Sequence, residues 1–498
     1  MQTLTMTMDR PRPLIRGARA RRLGSLFVPT RRAYLVIMPA ILFAGALVGW
    51  AAGSDISMVI AAFLMTAVSA YLFFDLLGRR APLRMTTILA ATLGLAYGLG
   101  TLNTWFTLPR GDETLGEFLQ ISTADLAHTM ASCCVSIAIL LVVGELYETP
   151  LFGEEFELRF DMRSVILVTL GMLVIAASFA TGHTGFMGAS VQETGAEAGH
   201  VGVLASLAAW LAGPLLACAV CMALNLRESS TRLYMRGMSV LLFVLIFPLG
   251  RRVIIYSVIL SLIGLRLGRY KIPYSPLRKA VYLGLLGSVV YAASVGFFYL
   301  RVAGYSMVKP TLLQRVSGAV DLAHTKSYAE IKEMLSKNVE TRTFILGFLA
   351  QIEGYTDTMP AGYGADFMGQ FQLAAPSILF PGKDLFFTEE ALVNTLFGSN
   401  FPDQANSVFT AGAVDFGIWG IFFYPVIFAF MVRFFLELLA ESLPNFTACF
   451  IVLASVAALL EPEVALTEYF VVLRNGVFFG GGIAILMALP QIQLRRDT

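Results

Sequence analysis

The residues best equipped for chemistry are two adjacent arginines, Arg251 and Arg252, in the stretch FPLGRRVIIYS at positions 247–257. They interrupt an otherwise apolar run from about Gly237 to Leu265. A guanidinium is a planar fork of donors that matches phosphate. In hydrocarbon it is costly unless it faces water or an anion. The pair therefore predicts an anion site in an aqueous recess. The competing reading is an interfacial turn whose arginines snorkel to lipid headgroups. Positive charge is otherwise scarce on that side of the chain, which favours the anion site. Three further cations are candidates to join it: Arg342, Lys383 in PGKD, and Arg474 inside the last apolar run, where it should point inward. Taken alone, Arg342 and Lys383 read equally well as solvated loop charges.

The elements that must position these residues are apolar helices. The chain has 498 residues, 57% of them hydrophobic and 14% charged, with a mean hydropathy of +0.71. Apolar runs of about 17 to 25 residues, the length that crosses a bilayer as a helix, recur throughout. They are continuous rather than alternating, which argues against a β-barrel. The pattern predicts an all-α polytopic membrane protein with about twelve spans. These lie near 33–52, 56–77, 86–105, 125–146, 164–181, 201–224, 237–250, 252–265, 280–300, 407–432, 446–461 and 468–489. The two arms around Arg251–Arg252 are short, roughly 20 Å each as helix. With Pro248 and Gly250 between them, they predict a hairpin that turns below the outer membrane surface.

Basic clusters set the expected orientation. Residues 1–32 hold Arg10, Arg12, Arg16, Arg19, Arg21, Arg22, Arg31 and Arg32 against Asp9 alone. Further clusters fall at Arg79, Arg80 and Arg84; Arg159 and Arg163; Arg227, Arg232 and Arg236; Arg266 to Lys279; and Arg495 and Arg496. With the N-terminus inside, every cluster lies on the cytoplasmic side. The expected organisation is a basic cytoplasmic tail (1–32), nine transmembrane helices (33–300), a large helical periplasmic loop (301–406), three more helices (407–489) and a cytoplasmic C-terminal tail (490–498). The N-terminal tail suits anionic membrane lipids better than nucleic acid. The first helix reads as retained rather than as a removed signal.

The five cysteines, Cys133, Cys134, Cys218, Cys221 and Cys449, all fall in apolar runs and read as packing residues. His324 is the only histidine in the loop, and a structural role is the simpler reading. No carboxylates or histidines have metal-ligand spacing, so a mechanism without metal or cofactor is expected.

Taken together, these residues resemble the bacterial Wzy-type polysaccharide polymerases, which make O-antigen and exopolysaccharide and are related to the O-antigen ligases. The resemblance rests on the GRR turn between short spans and on the layout of about twelve spans. It rests also on Pro376, Ser377, Pro381 and Lys383, followed by Phe416, Gly417 and Gly420. The layout covers most of the chain and the signatures about 60 residues. Family members often carry an acidic residue a few positions before Phe-Gly; here SVFTAGAV has none, and the nearest acids are Asp403 and Asp415.

The resemblance implies a bacterial inner-membrane enzyme with its active site facing the periplasm. Its substrate would be an oligosaccharide repeat unit on a polyprenyl diphosphate. The growing glycan would move from its carrier to the next carrier-linked unit, with undecaprenyl diphosphate leaving, and a chain-length regulator protein is an expected partner. Arg251, Arg252 and Arg342 would then stabilise the departing diphosphate. Asp415, Asp403 and Glu353 would be candidates to take the proton of the attacking hydroxyl. An O-antigen-type ligase and a transporter of lipid-linked oligosaccharide are the alternatives.

Overall fold

The computed structural model describes residues 33–77, 83–107, 116, 121–151, 160, 162–181, 203–226, 229–267, 288, 291–292, 295–304, 312–327, 330–331, 345–376, 379–380, 387–399, 406–440, 445–463 and 465–488. Every regular element among them is helical. In chain order these are α1 (Met38–Ala52, entered through a π-turn at Ala33–Ile37), α2 (Asp55–Leu77), α3 (Met85–Thr107), α4 (Thr123–Tyr147), α5 (Met162–Ala180) and α6 (Val203–Asn225). Then come α7 (Ser229–Ile246), α8 (Arg251–Leu267) and a short apolar helix α9 (Val295–Gly304). The loop contributes α10 (Leu312–Thr325), α11 (Ile345–Thr358), α12 (Ala365–Ala374) and α13 (Glu389–Phe397). The chain closes with α14 (Val408–Phe416), α15 (Ile418–Ala440), α16 (Asn445–Leu459) and α17 (Leu466–Ala488).

Seven described helices are long and apolar enough to cross a membrane: Ala33–Ala52, Asp55–Leu76, Met85–Phe106, Thr123–Tyr147, Met162–Ala180, Leu207–Asn225 and Ile418–Leu439. The chain is thus a helical membrane-embedded protein. Shorter apolar helices, Val253–Leu267, Val295–Gly304 and Phe446–Leu459, supplement them. Most of the expected span at 280–300 and the basic tail at 1–32 lie outside the described residues.

Small residues let the helices approach closely. A Cβ on Gly49 of α1 would stand 2.9 Å from Ala127 O of α4, and one on Gly98 of α3 would stand 2.8 Å from Ala62 O of α2. Such contacts are how membrane helices associate without a hydrophobic drive between them. Along α17, Gly480 meets Ile451, whereas Gly481 and Gly482 face open space. All five cysteines are free and buried.

One end of the bundle is tied by arginines. Arg84 pairs with Glu145 and donates to Glu148 O at 3.2 Å. Arg266 donates to Leu76 O. Arg433 donates to Thr149 O at 3.0 Å and to Thr149 Oγ1 at 2.7 Å. The Glu148 carboxylate caps the first turn of α3, accepting from Met85 N at 2.6 Å and Thr86 N at 3.0 Å. Loop helices cover the opposite end: α11 packs on α4 and α14, and α12 on α17 and α14.

The tenth apolar run, read as one span over 407–432, is two helices. Gly417, with φ +58°, breaks it after Phe416. The nine-residue α14 then folds back along α15, so close that a Cβ on Gly420 would stand 1.7 Å from Gly412 O. The Ser407–Thr410 capping box starts α14, and Ser407 Oγ lies 2.6 Å from Tyr97 Oη in the middle of α3. The short helix is therefore re-entrant: its N-terminus is in the bundle and its C-terminus meets the loop. Non-helical backbone at such depth survives because protein encloses it.

Candidate functional site

Two features at the loop end carry chemistry: the arginine hairpin and a buried carboxyl cluster.

The hairpin forms through Phe247–Leu249, a 3-10 turn, and Gly250, whose φ of +125° only glycine takes without strain. Both arms lie against α6. Gly213 of α6 meets Leu260 and Ser257, and Gly264 meets Cys221, so α8 runs parallel to α6. Following the chain from α4, whose first turns meet α11, through α5 to α6 puts this turn at the loop end. The arms are longer than the apolar pattern indicates: α7 has 18 residues and α8 has 17, or about 25 Å each. The apolar pattern understates them because their far ends carry Arg232, Arg236 and Arg266. Arg251 and Arg252 are the first two residues of α8. Their side chains lie outside the described set. The Phe297 ring of α9 closes over Gly250, 3.5 Å from where a Cβ would sit. Cations at a helix start oppose its dipole, and an anion relieves both.

The carboxyl cluster is built where α14 and α12 meet end to end. Gly362 N donates to Val414 O at 2.8 Å and Tyr363 N to Asp415 O at 2.9 Å, satisfying carbonyls at the end of α14. In return, Asp415 Oδ1 accepts from Asp366 N at 2.9 Å and Oδ2 from Phe367 N at 3.0 Å, capping the start of α12. Tyr424 Oη donates to the same carboxylate. Asp415 is fully buried, with both oxygens engaged.

Asp366 itself is fully buried; Gln370 Nε2 donates to its Oδ1 at 2.9 Å, and its Oδ2 has no partner. Gln370 Oε1 in turn accepts from Thr467 of α17. Glu389, at the first turn of α13, accepts from Thr410 Oγ1 at 3.3 Å and from Leu466 N; its Oε2 has no partner. The rings of Phe367, Phe428 and Phe470, with centroids 5.3 to 6.0 Å apart, wall the cluster with apolar surface. Burial and the neighbouring Asp415 push Asp366 up to about 7, and burial and Asp366 raise Glu389 above the usual carboxylate range.

The remaining sequence-predicted residues fall as follows. Glu353 of α11 is half-buried and accepts from Thr129 Oγ1 of α4 at 2.6 Å. Burial, with Asp357 and Asp125 nearby, raises its carboxyl above the usual range. Arg474 of α17 donates to Ala374 O at 2.8 Å and to Asn475 Oδ1, anchoring the C-terminus of α12. That contact complements the negative end of the helix dipole. Arg342, Lys383 and Asp403 lie outside the described residues. Sequence reasoning missed Asp366 and Glu389. The only local signal was Thr388-Glu389-Glu390 opening an amphipathic stretch, which reads as an ordinary helix start. Comparison with protein-family models, curated proteins and solved structures finds no match.

Proposed function

We propose that the protein polymerises oligosaccharide repeat units carried on a polyprenyl diphosphate. In each cycle the bond from the glycan's anomeric carbon to diphosphate oxygen breaks. A new glycosidic bond forms to a hydroxyl of the next carrier-linked unit. The hydroxyl proton passes to a base and the lipid diphosphate leaves. The chemistry takes place at the loop end of the bundle, on the periplasmic side of a bacterial inner membrane.

The observation that carries this reading is the α7–α8 hairpin, which puts Arg251 and Arg252 on the first turn of α8 at the loop end. Cations carried on that turn would favour a departing diphosphate electrostatically. Among the described carboxylates that the sequence singles out, Glu353 suits the base best. It is half-buried rather than sealed, and burial raises its carboxyl above the usual range, which makes it a stronger base.

A second reading, transport of a lipid-linked glycan, draws on one specific observation. The re-entrant α14 beside α15, near buried acids, resembles the broken helices of transporters.

The deciding experiment gives purified protein in nanodiscs single carrier-linked repeat units and resolves the products on a gel. A ladder that disappears with Arg251→Ala is the expected result. A ladder that persists in the variant overturns the role of the hairpin. No ladder from folded protein and intact substrate overturns the polymerase reading and turns the next assay to transport, or to ligation onto a lipid acceptor.

A further inference from the structure

The seam between the loop helices and the bundle encloses three carboxyl groups: Asp366 and Asp415, both 0% exposed, and Glu389, 2% exposed. Asp415 is satisfied by two backbone N–H groups and a tyrosine hydroxyl. The other two are not: Asp366 Oδ2 and Glu389 Oε2 have no hydrogen-bond partner. Tyr469, 1% exposed and within reach of Glu389's charge, also leaves its hydroxyl unpartnered at the seam.

Among the described residues, the titratable and charged groups around this pair come from each element packed against it. They are Tyr97 on α3, Glu390 on α13, Asp415 on α14, Tyr424 on α15, Glu461 and Glu463 before α17, and Glu468, Tyr469 and Arg474 on α17. The one cation in that set, Arg474, is engaged at Ala374, about 12 Å along α12 from Asp366. Buried carboxylates without a cation repel one another and lack hydration, so they do not all remain ionised. Something positive must join them. The carboxyls are sealed from solvent, and a proton is the smallest positive group that satisfies them.

We propose that Asp366 and Glu389 form a proton-binding site that latches the loop helices onto the bundle. The site joins α12 and α13 of the cap to α14 and α17 of the bundle through Gln370–Thr467 and Glu389–Thr410. Removing the protons leaves like charges in a closed seam, and opening the seam gives them back to water. This latch holds whatever reaction occurs beneath the cap and is independent of the polymerase reading.

The sign follows from linkage. The closed state holds Asp366's proton up to about 7, whereas a hydrated carboxyl releases it near 4. Closure is therefore strongest at low pH and is lost as pH rises through about 7. Between pH 5 and pH 7 one proton makes opening about 50-fold more favourable.

The test is hydrogen–deuterium exchange of the 365–374 amides in nanodiscs at pH 5 and pH 7, corrected for the intrinsic rate. Infrared spectra of protonated carboxyl groups accompany it. The expected result is a roughly 50-fold loss of protection, together with a carboxyl band at pH 6 that Asp366→Asn removes. The Asp366→Asn/Glu389→Gln double variant, with neutral isosteres, should stay protected at both pH values. Equal wild-type protection at the two pH values overturns the latch. A missing carboxyl band overturns the proton site, and sodium-dependent protection in its place assigns a metal cation instead. If the double variant does not fold, the two wild-type measurements decide.

Discussion

Asp415 has the geometry of a helix cap, and that geometry predicts what its loss should do. Its two oxygens accept Asp366 N at 2.9 Å, Phe367 N at 3.0 Å and the Tyr424 hydroxyl. Hydrogen bonds to a charged group contribute about 1.5–3 kcal/mol each, and a buried donor left unpaired costs about 1–3 kcal/mol. Asp415→Ala orphans three donors at once, which should destabilise the protein by about 3–6 kcal/mol. Asp415→Asn keeps the shape but turns one acceptor into a donor facing a donor. It also removes negative charge from a helix N-terminus, itself a contribution of about 0.3–2 kcal/mol. Its combined loss should be about 2–4 kcal/mol. The assay is thermal unfolding by fluorescence-detected size exclusion, with exchange rates of the Asp366 and Phe367 amides. Both variants should melt earlier and lose protection at those two amides first. An Asp415→Asn protein with wild-type melting and protection, but no activity, would refute the capping argument and make Asp415 the base.

Three further outcomes are expected. Gly420→Ala should destabilise by about 3 kcal/mol or more, because its Cβ would stand 1.7 Å from Gly412 O and overpacking at backbone has no flexible neighbour to absorb it. Gly482→Ala, with nothing within 4 Å, should be neutral or stabilising by up to about 1 kcal/mol; a melting series of the two checks this. Under the proposed reaction, with Glu353 as its base, Glu353→Gln should cut glycan transfer by about 10²–10⁴-fold. It should also remove the rise in rate with pH, since a raised carboxyl pKa makes the wild-type base appear only as pH increases through it; rate–pH profiles of both proteins decide. Arg474→Lys should loosen the C-terminus of α12, because one ammonium does not reproduce donation to both Ala374 O and Asn475 Oδ1; exchange at residues 371–375 reads it.

The helical membrane class is legible from apolar run length, because a helix in lipid must satisfy its backbone internally and stay apolar over its whole span. The early helices follow that pattern closely: the run expected at 33–52 is the span Ala33–Ala52. The re-entrant break is not legible in the same way. Phe416, Gly417 and Ile418 continue the apolar run, and only the φ of Gly417 separates the two helices. The carboxyl cluster is hidden for another reason. Asp366, Glu389 and Asp415 are brought together by tertiary contact alone, and no spacing in a single sequence encodes such a meeting. The GRR turn was visible because charge inside an apolar run is a local anomaly.

The cysteines give the molecule an unexpected practical property. Cys133, Cys134, Cys218, Cys221 and Cys449 are all 0 or 1% exposed, so thiol-reactive dyes in water find nothing to label while the bundle holds. Their reaction becomes a clock for unfolding, readable without purification tags or engineered probes. A single cysteine placed on the loop helices would also react alone, with no need to delete the native five. The protein arrives with a silent background on which any one new thiol can be heard.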